Sequence, residues 1–333
     1  YFERFKKWLA YIQEENLMVV GAMTDPKGDR SKGPAEQVDP DQYLRIVERR
    51  DDGLVIRGAK LHMTGGVNSH EILIMPTTAM DEKSKDYAVV CAIPADAPGV
   101  TMIFGRQAND DRKDNRERID SGNPLFGGVG GEAVIAFEDV FVPWERVFMN
   151  GETEFTNALV YRFAAHHRAN YGGCKTGLID VLTGAVTYLA QIQGTAGASH
   201  VRDKVTEMIH LGETLYSSSI ACAAEGWPTP SGAYMVDTML ANVGKHNATR
   251  FHFEVARLAA DLAGGFLATL PSEYDLNSEE TGHLVKKYFS GVAGIATEER
   301  IKIGRLIESM TGGTALVESM HGAGSPQAQR VMI

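Results

Sequence analysis

His166-His167-Arg168-Ala169-Asn170-Tyr171-Gly172-Gly173-Cys174-Lys175 lies inside an apolar-periodic stretch running from Asn157 to Gln193. A helical repeat of 3.6 puts i, i+4 and i+7 on one face, and His167, Tyr171 and Cys174 stand at those offsets, with Lys175 beside the last. One face of a long helix therefore carries an imidazole, a phenol and a thiol. Imidazole and thiolate ligate iron and zinc, and Tyr and Lys are proton carriers. Gly172 and Gly173 each cost the helix about 1 kcal/mol against Ala, which is often tolerated where something approaches the backbone closely. A core helix with a satisfied His and a buried free Cys accounts for the same spacing, because two ligands do not make a metal site.

Working outward, helical periodicity continues through His200–Glu225, Gly232–Ala263 and most of Ser278–Thr311. Pro228, Pro230 and Pro271 fall between these helices as breakers. Four long helices with short connections predict a bundle. Gly264-Gly265 and Thr311-Gly312-Gly313-Thr314 come after the third and fourth helices, and His321-Gly322-Ala323-Gly324-Ser325-Pro326 forms a glycine turn in the tail.

Upstream the pattern changes. Phe5, Trp8, Leu9 and Ile12 give residues 2–17 an amphipathic helix, and Met18–Met23 reads as a strand. Thr24–Gly33 is a polar loop in which backbone N–H groups, Lys27 and Arg30 could hold phosphate oxygens; a solvated turn is the other reading. Strands are expected at Tyr43–Glu48, Leu54–Gly58, Ile72–Met75, Tyr87–Ile93, Val100–Phe104, Ala133–Phe137 and Val140–Val142, with Asp51-Asp52-Gly53 as a hairpin signal. Short strands without intervening helices predict an antiparallel sheet or barrel. Residues 106–121 are read as a charged, solvated loop. Gly127-Gly128-Val129-Gly130-Gly131 lacks the dinucleotide-binding spacing. Glu132, directly after it, reads either as a ligand-reaching carboxylate or as a strand-edge Glu.

The 333 residues suffice for two domains, and 44 % hydrophobic with 23 % charged is ordinary for a globular chain. A net charge of −10 argues against nucleic-acid or anionic-membrane partners. There is no apolar run of about 20 residues to span a membrane. No signal-peptide pattern is read, and three cysteines without short spacing point to a reducing compartment, expected to be the cytoplasm. The chain begins without Met and is expected to be a fragment lacking both termini.

The order helix, β-domain, helical bundle resembles flavoproteins of the acyl-CoA dehydrogenase fold. Four motifs sharpen the likeness: Gly21-Ala22-Met23-Thr24-Asp25-Pro26-Lys27-Gly28-Asp29-Arg30, Phe137-Glu138-Asp139-Val140-Phe141-Val142-Pro143-Trp144, His167-x3-Tyr171-x2-Cys174-Lys175, and His321-Gly322-Ala323-Gly324-Ser325-Pro326-Gln327. With these the chain resembles, over nearly its whole length, the 4-hydroxyphenylacetate 3-hydroxylase family, in the branch that dehydrates 4-hydroxybutyryl-CoA. The resemblance implies an α+β, acyl-CoA dehydrogenase-like fold, with residues 1–17 ending an N-terminal helical domain, 18–150 forming an antiparallel β-domain and 151–333 a four-helix bundle.

The resemblance further implies a lyase that converts 4-hydroxybutyryl-CoA to crotonyl-CoA by a radical route using FAD and a [4Fe–4S] cluster, with vinylacetyl-CoA isomerase activity and a place in 4-aminobutyrate degradation. It assigns His167 and Cys174 as cluster ligands. The family's other two ligands form a Cys-x3-Cys pair that does not occur here, and Cys91 and Cys222 read as buried thiols. Two of the four ligands are therefore expected outside this chain. By position, His167, Tyr171, Lys175 and Glu132 are the implied catalytic groups. Thr24, Lys27, Arg30, His62 and Thr64, with Gly264 and Gly265 of a neighbouring subunit, are the implied FAD contacts; a helix C-cap is the alternative for each glycine pair. Flavin is expected between the β-domain and the bundle. An acyl-CoA substrate and a homotetramer are implied as partners. A flavin-dependent aromatic monooxygenase without a cluster is the competing enzyme reading; an inactive oligomerisation scaffold is the non-enzyme one.

Overall fold

Strands β1 (Val19–Ala22), β2 (Arg45–Arg49), β3 (Gly53–Met63), β4 (Glu71–Ile74), β5 (Val89–Pro94), β6 (Val100–Phe104), β7 (Ala133–Pro143) and β8 (Val147–Asn150) come after a first helix, α1 (Phe2–Glu14). The computed structural model describes residues 1–105, 119–120 and 132–333. The expected loop at 106–121, save residues 119–120, and the Gly127–Gly131 run lie outside the described residues. By contact the described chain divides into two compact units, residues 1–105 with 132–163 and residues 119–120 with 164–333.

In the first unit the strands form two four-stranded sheets, ordered β1-β4-β5-β8 and β2-β3-β7-β6. Pairing is antiparallel as expected, except that β1 runs parallel to β4. The alternation of apolar residues buries Leu54 and Ile56 of β3, Ile135 and Phe137 of β7, and Ile72 and Ile74 of β4 in one core. Two expected strands, Ala133–Phe137 and Val140–Val142, are one strand. The interruption between them is a bulge, where Asp139 takes a positive φ of 53° and accepts from Arg57 at 2.6 Å. Strand β3 also outruns its expected end at Gly58, because Lys60 is held in the core by Asp25 at 2.8 Å. Of the apolar positions of α1 only Trp8 is fully buried; its indole donates to Glu71 at 3.2 Å.

The second unit is helical. Helix α2 (Thr156–Ile192), whose residues 156–163 belong to the first unit, is succeeded by α3 (Ser199–Ala224), α4 (Thr238–Ala263), α5 (Glu273–Asn277), α6 (Gly282–Tyr288), α7 (Thr297–Thr311), α8 (Gly313–His321) and α9 (Pro326–Val331). Ile179, Leu182 and Val186 of α2 pack with Met208, Leu211 and Leu215 of α3, Val255 and Ala259 of α4, and Ile307 and Met310 of α7. This is the expected bundle, with two corrections. The third helix starts at Thr238 rather than Gly232, because the Asp237 side chain caps it by accepting from Leu240 N–H. The fourth is broken between Tyr288 and Thr297. There Gly291 passes so close to the end of α2 that a Cβ would lie 2.3 Å from the Ile192 carbonyl oxygen, and Gly294 takes a φ of 88°.

Candidate active site

Helix α2 presents Arg168, Tyr171 and Lys175 to the interior of the second unit, all buried, with His167 half-buried beside them. The i, i+3 and i+7 spacing of the three buried residues gives one inward stripe. Cys174 lies on the exposed edge of that face. One residue before Lys175, Cys174 is turned away from the buried stripe by about 100°. The His167 and Tyr171 rings are in contact, with centroids 5.7 Å apart.

Opposite them, α8 supplies Glu318. One carboxylate oxygen accepts from the Tyr171 hydroxyl and the other pairs with the Lys175 ammonium. Lys245 of α4 is fully buried, with its Nζ 4.2 Å from the centre of the Tyr171 ring. The cluster thus holds Arg168, Lys175 and Lys245 against the single carboxylate of Glu318. Burial pulls the Lys245 ammonium down to about 7, with Glu318 opposing the shift and Lys175 and Arg168 adding to it. Burial also holds His167 below the ordinary imidazole value, against the pull of Glu318. At neutral pH His167 is therefore neutral and keeps a lone pair.

His252 of α4 is buried deeper still, and desolvation lowers it to about 4. Its tautomer is set by Ser319. The Ser319 hydroxyl donates to the Ala315 carbonyl at 2.9 Å, so it accepts from His252, whose proton sits on Nδ1. Among the described residues, Nε2 is left as a buried acceptor without a hydrogen-bond partner.

The remaining expected residues divide between the units. Glu132 and Thr64 meet in the first unit, where the Thr64 hydroxyl donates to Glu132 at 2.7 Å. His62, two residues away, takes a φ of 62°. The Thr24 carbonyl accepts from Leu61 N–H at 2.7 Å. Lys27 is half-buried at a φ of 70°, and burial, then the charge of Arg30, lowers its ammonium; Arg30 itself is exposed. Asp25 anchors this loop by pairing with Lys60 and accepting from Leu44 N–H at 2.9 Å. Gly264 and Gly265 sit at the end of α4, where Gly264 caps the helix with a φ of 69°, and a Cβ at either would meet nothing within 4 Å. Cys91 and Cys222 are buried thiols as expected, pushed up to about 12 and about 11 by desolvation. Among the described residues no group of three or more His, Cys, Asp and Glu side chains is arranged to hold a metal.

Sequence reading missed Glu318, Lys245, His252 and the Asp25–Lys60 pair. A signal for the α4 residues existed: Lys245 and His252 recur with Ala241, Ala248, Val255 and Ala259 on the apolar face of a helix.

The model of the 4-hydroxyphenylacetate 3-hydroxylase N-terminal region matches residues 1–149, and that of the C-terminal region matches residues 156–333. The chain belongs to the 4-hydroxyphenylacetate 3-hydroxylase family. Within that family it is 52 % identical to a 4-hydroxybutyryl-CoA dehydratase/vinylacetyl-CoA Δ-isomerase of Clostridium aminobutyricum, matching 100 % of this chain and 70 % of that protein. It is 30 % identical to a 4-hydroxyphenylacetate 3-monooxygenase oxygenase component of a Geobacillus species, over 93 % of this chain and 62 % of that one. Among solved structures, an archaeal 4-hydroxybutyryl-CoA dehydratase from N. maritimus superimposes with a TM-score of 0.94 at 52 % identity, over 99 % of this chain and 66 % of that one. A monooxygenase oxygenase component complexed with FAD gives 0.84 at 25 % identity, over 99 % and 69 %. The fold extends to butyryl-CoA dehydrogenase of Megasphaera elsdenii, at a TM-score of 0.59 and 14 % identity, so the expected acyl-CoA dehydrogenase-like class holds.

Proposed function

We propose that this chain is the β-domain and helical bundle of an FAD- and [4Fe–4S]-dependent 4-hydroxybutyryl-CoA dehydratase, a lyase that also isomerises vinylacetyl-CoA. The observation that carries this reading is the 52 % identity to dehydratases, against 30 % and below to the monooxygenase relatives. The buried Tyr171–Glu318–Lys175 group supports it as a place where protons can be held and moved.

The residues present bear on both proposed cofactors. His167 and Cys174 fit half of a cluster's ligand set: a ligand needs a lone pair, which burial preserves on His167, and Cys174 is accessible. A cube takes four ligands. Cys91 and Cys222 are buried in their unit cores, so the other two would come from outside this sequence. For FAD, the cations Lys27 and Arg30 suit a pyrophosphate and Thr24, His62 and Thr64 offer polar contacts, while the open space at Gly264 and Gly265 would admit the flavin of a neighbouring subunit near the backbone. When bound, flavin supplies one-electron chemistry and cluster iron a Lewis acid toward the leaving hydroxyl.

The chain's own contribution is proton handling. Removing a proton α to a thioester needs a base that is unprotonated at neutral pH. His167 meets that condition through burial when its lone pair is not held by the cluster, and the Glu318 carboxylate stands beside it, accepting from Tyr171 and paired with Lys175. Tyr171 donates to Glu318, so the proton that can move within this hydrogen bond is the phenol's own, passing to the carboxylate. Lys175 holds the carboxylate in place. Glu132, held by Thr64 in the first unit, is proposed as a further catalytic group. The same reading takes the protein to be a cytoplasmic homotetramer. Exposed Ile209, Tyr216 and Ile220, at i, i+7 and i+11 of α3, form an apolar stripe suited to a subunit contact.

The test is Cys174→Ala in the intact protein, scored by iron and flavin content. Loss of iron with retention of flavin is expected. Full iron content and full activity would remove the cluster from the proposal and leave the aromatic monooxygenase in its place.

A further inference from the structure

We propose that Lys245 is a positioning residue that fixes Glu318 through the backbone of the last turn of α8. The turnover readout of this proposal rests on the dehydratase reading; the geometry does not. Asn242, Lys245, Thr249 and His252 recur at i, i+3, i+7 and i+10 on α4 and are all buried, forming a polar spine along that helix. Three members of that spine hold residues next to Glu318 or in the turn beyond it. Lys245 Nζ donates to the carbonyl of Ser319 at 2.7 Å and to that of Met320 at 3.3 Å. His252 donates to the Ser319 hydroxyl. Asn242 accepts from Arg168, whose Nε donates at 2.9 Å to the carbonyl of Ala323 in the turn beyond α8.

The last carbonyls of a helix have no partners within it, and in the last turn of α8 Ser319 is fully buried and Met320 half-buried, ahead of the exposed His321. A cation there answers both the unpaired acceptors and the negative end of the helix dipole. Lys245 supplies the donors and, in its protonated form, the charge. Ser319, which it grips by the main chain while His252 grips it by the side chain, is the residue next to Glu318. Glu318 must hold Tyr171 with one oxygen and Lys175 with the other, so a rotation of this turn would break at least one contact. Gly322 N–H closes the turn by donating to the Glu318 carbonyl at 2.8 Å. The Lys245 ammonium also lies over the face of the Tyr171 ring, where a cation is attracted by the ring quadrupole. No other ammonium among the described residues is bonded to these carbonyls.

The test compares Lys245→Met, which keeps the length and removes charge and donors, with Lys245→Arg, which keeps both. Each is made in the intact, cofactor-loaded protein. Three quantities are read: flavin content, kcat and KM for 4-hydroxybutyryl-CoA, and hydrogen exchange of the amides of residues 318–322. For Lys245→Met the expected result is wild-type flavin, a kcat lower by about 100-fold, as for a displaced catalytic group, and a KM within about twofold. Exchange at Gly322 should quicken. Lys245→Arg should recover about tenfold or more of the lost kcat and restore slow exchange. Wild-type kcat in Lys245→Met would overturn the proposal. So would an Arg variant no better than Met, or a Met variant that binds no flavin, since the lysine would then be needed for folding rather than for placing Glu318. A wild-type protein that binds flavin but dehydrates nothing would overturn the dehydratase reading alone. Amide exchange would then decide on Lys245: faster in Met than in wild type and Arg upholds it, and equal rates overturn it.

Discussion

Tyr171 and Lys175 were legible because both stand on one helix with His167, at spacings that periodicity reads directly. Their partner was not. Glu318 lies 147 residues from Tyr171 and 143 from Lys175 in sequence, on a short helix whose own pattern does not announce it. Tyr171→Phe keeps the packing and removes the hydroxyl. It should leave flavin bound and lower dehydration by about 10²–10⁴-fold, the usual worth of proton-transfer help, measured as kcat on the loaded protein. Gly322→Ala should be at least as damaging. A Cβ at Gly322 would fall 1.8 Å from the Tyr171 hydroxyl and 2.8 Å from Glu318 Oε1, so one of the two must leave. His252 carries a pH dependence. Its value of about 4, below the ordinary 6.5, means the unfolded chain binds its proton first. No penalty exists above pH 6.5. It builds as pH falls through the window from 6.5 to 4, to about 3 kcal/mol, and stability rises with pH across that window. Unfolding midpoints between pH 4 and 7 should show a weaker slope for His252→Gln than for wild type.

Elements were legible wherever one periodicity ran uninterrupted, as in α2 and α3, and in the strands whose alternate residues fill the core. They were misread where a local backbone event decided the outcome: the bulge at Asp139 inside β7, the cap at Asp237, and the break between α6 and α7 at Gly291. Local apolar pattern continues through such points, and only the neighbouring backbone reveals them. The glycine pair in α2 illustrates both cases. A Cβ at Gly172 would lie 2.3 Å from the Ser219 Cβ, so this glycine admits α3, whereas Gly173 faces open space. Gly172→Ala should cost about 1–3 kcal/mol through overpacking. Gly173→Ala should stabilise by about 1 kcal/mol through helix propensity. Denaturation midpoints of the two variants should therefore move in opposite directions.

On the scale of the whole chain, the order of helix, β-strands and helices was enough to indicate the fold class, and the solved structures that the chain superimposes on bear it out. Candidate groups fall in both: Thr64 with Glu132 in one, and the Tyr171–Glu318–Lys175–Lys245 cluster in the other. Sequence pattern cannot report such a division, because periodicity says which face of an element is buried and not which element covers it. Family membership unites dehydratases with phenol monooxygenases, so the reaction is the claim most in need of a direct test. The intact protein, purified without oxygen, should be given 4-hydroxybutyryl-CoA and monitored for crotonyl-CoA. The account predicts crotonyl-CoA formation with no reductant or oxygen added. Absence of that product, together with hydroxylation of a phenol when reduced flavin and oxygen are supplied, would contradict it.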